Sequence, residues 1–310
     1  MKSHGGEGPG GLAPALAAWA TLLGTAHVIT DGAAIARRSA TTLPRAPHPL
    51  AIISAQSLDE VIGAVRIAAE HRVPLYPVST GRNWGYGDAC PVTEGQVLLE
   101  LARMNRILEV NEDLAYAVIE PGVTQGQLAA HLKAAGGRLM LDCTGAGPDT
   151  SIVGNVLERG FGHTAYGVRS ATISGMQVVL ADGRVLETGF GHYPAAKAAR
   201  LYPSGIGPSF DGLFMQSNFG VVTRLGLWLM PMPERVEMIA LILDRHEDVA
   251  PVVDALRRLR LAGTLRSIAH IGNDLRLISS AVAFPWAEAG PEGLSSALRE
   301  RLRGEAGVGA

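Results

Sequence analysis

The residue pattern of this 310-residue chain predicts an α+β fold. Three observations carry that expectation. A strand–helix–strand unit runs over 51–78, a series of strands follows over 96–121, and two alternating apolar runs meet at Asp182-Gly183 as a hairpin. Apolar residues make up 47% and charged residues 18%, a balance that builds a buried core rather than a disordered chain.

Each element has a local reason. Leu12, Leu16, Trp19 and Leu23 recur at helical spacing, so the N-terminal apolar run reads as an amphipathic helix packed on the domain. Its leader MKSHGGEGPGG holds an acid and one Lys, and no small-residue cleavage site follows, which argues against a secretory signal. A short helix is expected over 31–38. AIIS at 51–54 is a strand, and Ser57 with Glu60 forms a capping box that opens a helix. VPLYPV is the next strand, and the loop STGRNWGYG at 79–87 follows it directly. Strands are expected at 96–101, 106–112 and 115–121. Thr124 and Gln127 make a second capping box, and Gly136 and Gly137 end that helix. RLMLDC is a short strand, CTGAGPDTS a second polar loop, and 151–158 a short helix rising from it. SFDGLFMQS forms a helical turn, and FGVVTRLGLWLMP a long strand that ends at Pro231-Met-Pro233. Beyond the prolines, VEMIALILD reads as a strand, 246–263 as a helix, and SSALRERLRG as another. The boundaries expected are 1–44 for an N-terminal helical segment, 45–233 for the main domain and 234–310 for the start of a second α+β unit.

Composition removes several functions. A net charge of −2 without blocks of like charge disfavours nucleic acid and anionic membrane as partners. Two cysteines, Cys90 and Cys143, cannot build a disulfide framework or a four-ligand zinc site, and a cytoplasmic protein without a metal is the expectation. No apolar stretch reaches the roughly 20 residues that span a bilayer. GFGHTA at 160–165 matches a dinucleotide fingerprint in letters only, since a helix precedes it where a strand is required. Phosphate-loop, HExxH, CxxC and GxSxG patterns are absent.

Two loops remain. Ser79, Thr80, Gly81, Arg82, Asn83, Gly85 and Gly87 crowd round Trp84 and Tyr86, as in a backbone nest that cradles an anion. The second loop delivers the start of the helix at Ser151, whose N–H groups would face the same anion. Gly154 and Gly160 permit close approach, Ser151 and Asn155 can hydrogen-bond, and Arg82 and Arg159 can offset charge. Both loops also read as plain turns in a chain with 38 glycines, and spacing alone leaves the two readings open. Trp84 and Tyr86 fit a flavin-sized ring or a packing anchor equally. Asp149 and His163 are the candidates for catalytic groups, His270 is a further pocket candidate, His131 reads as surface, and no catalytic residue is assigned.

In order along the chain, YPVSTGRNWGYG, IEPGVTQGQL, SIVGNVLERGFGHTAYG, SGMQVVLADGRVLETGFG and GPSFDGLFMQSNFGVVTRLGLWLMP resemble the FAD-binding domain of the vanillyl-alcohol oxidase / p-cresol methylhydroxylase flavoproteins. SIAHIGNDLRLIS resembles the start of that family's substrate-binding cap. The resemblance implies a domain of two α/β subdomains, with 79–87 and 151–160 around the FAD pyrophosphate. Pro121, Gly122, Gly220, Val221 and Val222 would line the cofactor with main chain. It implies hydride transfer from a small phenolic or alcoholic substrate to flavin N5, with oxygen or a redox protein as electron acceptor. The first loop lacks the His that carries a flavin link in some relatives, so FAD is expected non-covalent. Departures are Val168 and Arg169, where the family has an acid and a His, and GAGPDT before SIVGN. Family members are considerably longer, so the alternative expectation is an FAD-binding module, vestigial or one part of a split enzyme. A homo-oligomer or a companion cap polypeptide would then cover VEMIALILD.

Overall fold

The computed structural model describes residues 11–41, 47–82, 88–237, 239–243 and 245–307. Two compact units emerge, one made of Pro47–Ile268 with the described residues up to Ala40, the other of Thr41 with the described residues of Ala269–Ala310.

In the first unit the N-terminal helix α1 (Leu12–Leu23) buries Ala15, Trp19 and Leu23, as its spacing predicts. Strand β1 (Val28–Ile29) and helix α2 (Gly32–Arg38) follow, the latter capped by Asp31, whose carboxylate accepts from the Ala34 N–H. Strands β2 (Ala51–Ser54), β3 (Leu75–Val78) and β4 (Val97–Glu100) flank α3 (Leu58–His71). They make a sheet of order β1-β2-β4-β3, parallel except where β1 meets β2. The two-residue alternation of strands sorts the side chains. Ala51, Ile53, Val97 and Leu99 face α1 and α3, while Ile52 and Leu98 face Ile35 of α2. Trp19 lies at 0% exposure and its indole N–H donates to the Ala64 carbonyl at 3.1 Å, tying α1 to α3.

The second half of this unit is an antiparallel sheet of order β5-β6-β10-β8-β9, from β5 (Ile107–Asn111), β6 (Tyr116–Ile119), β8 (Ile173–Leu180), β9 (Val185–Glu187) and β10 (Gly220–Trp228). Helices α4 (Gln125–Ala134) and α5 (Ile152–Leu157) close its core with Leu128, Leu132, Ile152, Val153 and Val156. The hairpin turns at Asp182-Gly183, where Gly183 has φ +78°. A two-stranded ribbon joins β7 (Leu139–Met140) to β11 (Met230–Pro231). Val179 and Val221 belong to the core of the first sheet, so β8 and β10 reach across to it.

The capping residues act as N-caps, but neither box closes reciprocally. Glu60 accepts from the Gln56 N–H, one residue before the cap, and the Gln127 amide donates to the Asn105 carbonyl. The expected strand at 236–244 is not formed by its described residues. Val236, Ile239, Leu241 and Ile242 are all at least 70% exposed. A strand needs a neighbouring edge for its N–H and C=O groups, and no described strand pairs with this segment. Helix α6 (Val249–Leu261) follows and buries no residue.

In the second unit α7 (Asp274–Ala281) and α8 (Ser296–Glu305) bury Ile278 and Leu302, and the Arg299 guanidinium holds Asp274. No helix among the described residues is long and apolar enough to cross a membrane.

Candidate cofactor cleft

Loop 79–82 leaves the end of β3 and meets the second loop directly. The Thr80 hydroxyl donates to the Asp149 carbonyl and accepts from the Ser151 N–H, both at 3.2 Å. The Thr150 hydroxyl is in range of the Arg82 carbonyl at 3.1 Å and the Ala146 carbonyl at 2.9 Å. Ser151 caps α5 by accepting from the Gly154 N–H at 2.9 Å, and its hydroxyl donates to the Pro121 carbonyl at 2.6 Å. A Cβ on Gly154 would stand 3.2 Å from Ser79 Oγ. Ser79, Thr80, Pro121, Ser151 and Gly154, scattered over 76 positions of the chain, thus share one place. Asn83, Trp84, Gly85, Tyr86 and Gly87 lie outside the described residues, flanked by a backbone bridge between Arg82 and Asp88.

The second sheet carries the other predicted main-chain segments. The β6–β10 ladder ends at Ile119 and Leu225, so Gly220, Val221 and Val222 run on with pairing to β8. At that point the β6 chain turns away through Glu120, Pro121 and Gly122. Glu120, 3% exposed, is clamped by the Arg106 N–H and guanidinium, with a nearest ion-pair distance of 2.7 Å. Gly122 is fixed by backbone: a Cβ there would lie 2.5 Å from the Ala102 carbonyl oxygen. Beside the first loop opens a cavity of about 440 Å³, lined by Arg37, Arg38, Thr80, Gly81, Arg82 and Glu100 among others. Arg38 pairs with Glu100 at 2.7 Å. The sequence reading missed these α2 and β4 residues, because only the sheet order brings them to the loop.

The remaining predicted site residues differ in depth and in partners. Helix α5 spans six residues, and its first N–H groups are largely engaged: Ser151 to Thr80, Ile152 to the Val123 carbonyl, Gly154 to Ser151. The helix start therefore braces the two loops against each other. Arg82 and Arg159 are exposed, Arg159 in the left-handed region at φ +52°. His163, Asp149 and His270 are also exposed, so none occupies an enclosed pocket. The Gly160 position is filled by a neighbour, since a Cβ there would stand 2.3 Å from Asn155 Oδ1.

Buried charge lies elsewhere. Asp142 and Arg169 are 4% and 3% exposed, and Arg169 donates to Asn155 Oδ1 at 2.8 Å. Burial pushes the Arg169 guanidinium below its ordinary range, against the pull of Asp142 and Cys143. Burial raises the Cys143 thiol despite Arg169. It also raises the Glu158 carboxyl. Asp142 lies within a predicted strand and carries no local signal, whereas Arg169 stood out as a departure from the family pattern.

Residues 49–189 match the family model described as FAD binding domain. The chain superposes on p-cresol methylhydroxylase with substrate bound at a TM-score of 0.82 and 33% identity, covering 97% of this chain and 59% of that one. Over nearly its whole length this chain is similar to flavoproteins of the p-cresol methylhydroxylase type, and it carries their FAD-binding domain. 4-Ethylphenol oxidase from Gulosibacter chungangensis, in its isoeugenol complex, matches this FAD-binding chain at TM-score 0.81 and 35% identity over 96% of it and 58% of the oxidase. Among curated proteins, 1'-carboxy-chondrochloren decarboxylase of Chondromyces crocatus is 48% identical over 300 residues, 95% of this chain and 56% of the decarboxylase. The 4-cresol dehydrogenase [hydroxylating] flavoprotein subunit of Pseudomonas putida is 36% identical over 257 residues, 82% of this chain and 49% of the subunit. The chain spans about half the length of these curated relatives. The site fits a dinucleotide in one checkable respect: the loops at 79–82 and 149–151 are already fastened to each other, and at 220–222 β10 pairs with β8 beyond the last β6 pair.

Proposed function

We propose that this chain is the FAD-binding part of a flavin oxidoreductase that oxidises a small phenolic or alcoholic substrate. The observation that carries the reading is the meeting of loop 79–82, Pro121 and Ser151–Gly154 at one place. Ser79, Thr80, Gly81 and Arg82 would border the pyrophosphate, with 83–87 continuing that loop. Pro121, Gly122, Gly220, Val221 and Val222 would offer main chain, and Ser151 and Gly154 a further wall. FAD, when bound, supplies the hydride acceptor of the reaction. The chain's own contribution is to hold and orient: the Thr80 hydroxyl, accepting from the Ser151 N–H and donating to the Asp149 carbonyl, fixes the loops before any ligand arrives, which lowers the ordering cost of binding. FAD is held without a covalent link in this reading, because the first loop offers no His.

The 48% relative is named a decarboxylase of a 1'-carboxy compound, which favours a second reading in which the substrate carries a carboxyl group that is lost. The electron acceptor in this reading is oxygen or a redox protein.

Anaerobic mixing of the FAD-loaded protein with 4-alkylphenols and with carboxylated phenols tests the proposal. Bleaching of the flavin band by a 4-alkylphenol supports the first reading. Bleaching only with the carboxylated compound, accompanied by its loss of mass as CO2, supports the second. No bleaching by either class, with dithionite still reducing the flavin, contradicts both.

A further inference from the structure

We infer that Gln125 is a positioning residue for the cofactor: its buried carboxamide holds the second loop, 144–150, where that loop fastens to the first. The inference rests on the FAD reading above. Gln125 opens α4 and is 6% exposed. Its Oε1 accepts from the Thr144 N–H at 3.1 Å, while its Nε2 donates to the Thr144 carbonyl at 3.2 Å and to the Gly147 carbonyl. A backbone N–H only donates and a carbonyl only accepts, so these partners fix which way the carboxamide is turned. The main chain of the same helix turn adds two bonds. The Gln125 and Gly126 N–H groups, which a helix start leaves without intrahelical partners, donate to the Thr150 carbonyl at 3.0 Å and the Pro148 carbonyl at 2.9 Å. Gly126 lets the loop lie this close, since a Cβ there would stand 2.9 Å from Pro148 Cβ.

The junction of the two loops is built on that platform. The Asp149 carbonyl and Ser151 N–H meet the Thr80 hydroxyl, and the Thr150 hydroxyl is in range of the Arg82 carbonyl. Residues 144–150 form neither helix nor strand, so their backbone groups take partners from outside a regular ladder. One side chain answers three of those groups, at both Thr144 and Gly147. An apolar side chain of similar volume would fill the same space but would leave all three unanswered. A carboxamide that sets the path of the second loop, and through it the contact with Thr80, accounts for a buried Gln at the first position of this helix.

The test pairs FAD titration with thermal melting of the apo-protein, on the full chain, for wild type, Q125E and Q125M at about pH 5 and about pH 8. Gln125→Glu keeps the acceptor and, while protonated, one O–H donor; once ionised it turns an acceptor on the Thr144 and Gly147 carbonyls. Burial and those carbonyls favour the protonated form. Q125E therefore binds FAD as wild type does at the lower pH and about tenfold more weakly at the higher. Gln125→Met pairs with none of the three backbone groups and is weaker than wild type by a similar factor at both. Each variant is compared with wild type at the same pH. That comparison removes the contribution of Asp149 in the loop and of His163, whose Nε2 stands 3.3 Å from a Cβ built on Gly145. A Q125E protein that melts lower at the higher pH yet binds FAD there as tightly as wild type has lost packing alone, and overturns the inference. A Q125E deficit of equal size at the two pH values also overturns it. A wild type that takes up no FAD overturns the FAD reading and this inference with it. Should Q125M fail to fold, Q125E still decides.

Discussion

Residues 47–231 and residues 236–261 use their apolar side chains in opposite ways. In the first stretch, both sheets bury at least one face, and β2 and β6 are buried at every residue. In the second, Ile239 and Ile242 are 80% and 89% exposed and α6 buries nothing. Their sequences look alike, since VEMIALILD is as apolar as AIIS or AYAVIE. The difference is a partner. β2 has β1 and β4 on its two sides, whereas no described strand lies beside 236–243. Local pattern names an element only where the rest of the fold supplies the surface it needs.

Substitutions sharpen that contrast. Trp19→Ala empties a fully buried site and removes the hydrogen bond to Ala64, and urea denaturation should show a loss of roughly 4 kcal/mol. Gly122→Ala drives a methyl into the Ala102 carbonyl, and the same assay should show a loss of about 3 kcal/mol together with weakened FAD uptake. A Gly122→Ala variant as stable as wild type would mean the turn is not packed as described. Ser151→Ala removes the α5 cap and the tie to Pro121, for a loss of about 1 kcal/mol in the same assay.

A smaller effect depends on pH. Burial holds the Glu158 carboxyl above its ordinary value, so the folded state keeps a proton over a range where the unfolded chain has lost it. The cost of that burial is absent below the unfolded value and grows as pH rises past it. Glu158→Gln should therefore leave the melting temperature unchanged below about pH 4 and raise it at neutral pH. At the other end of the scale, Ile242→Ser should change stability by less than about 0.5 kcal/mol and reduce self-association in sizing chromatography.

The first two-thirds of the fold was legible in the sequence because its signals are local. Ser57, Thr124 and Ser151 cap the helices they announce, and Asp182-Gly183 turns the hairpin it predicts. The cleft was legible only in part. Ser79, Thr80 and Ser151 stood out as small polar residues in loops, and they do meet. Arg37, Arg38 and Glu100 did not, because the order β1-β2-β4-β3 that gathers them leaves no mark on neighbouring residues. Asp142 was invisible for the same reason, its charge being answered by a residue 27 positions away. Asp149 and His163 attracted attention by type and proved exposed, since residue type reports chemistry without depth.

The most direct measurement is the visible absorption spectrum of the purified protein before and after acid precipitation. Flavin bands that pass into the supernatant are the predicted result, for a cleft that holds FAD through loops and main chain alone. Colour kept in the pellet would contradict the non-covalent reading. A colourless protein that also fails to take up added FAD would contradict the cleft as a cofactor site.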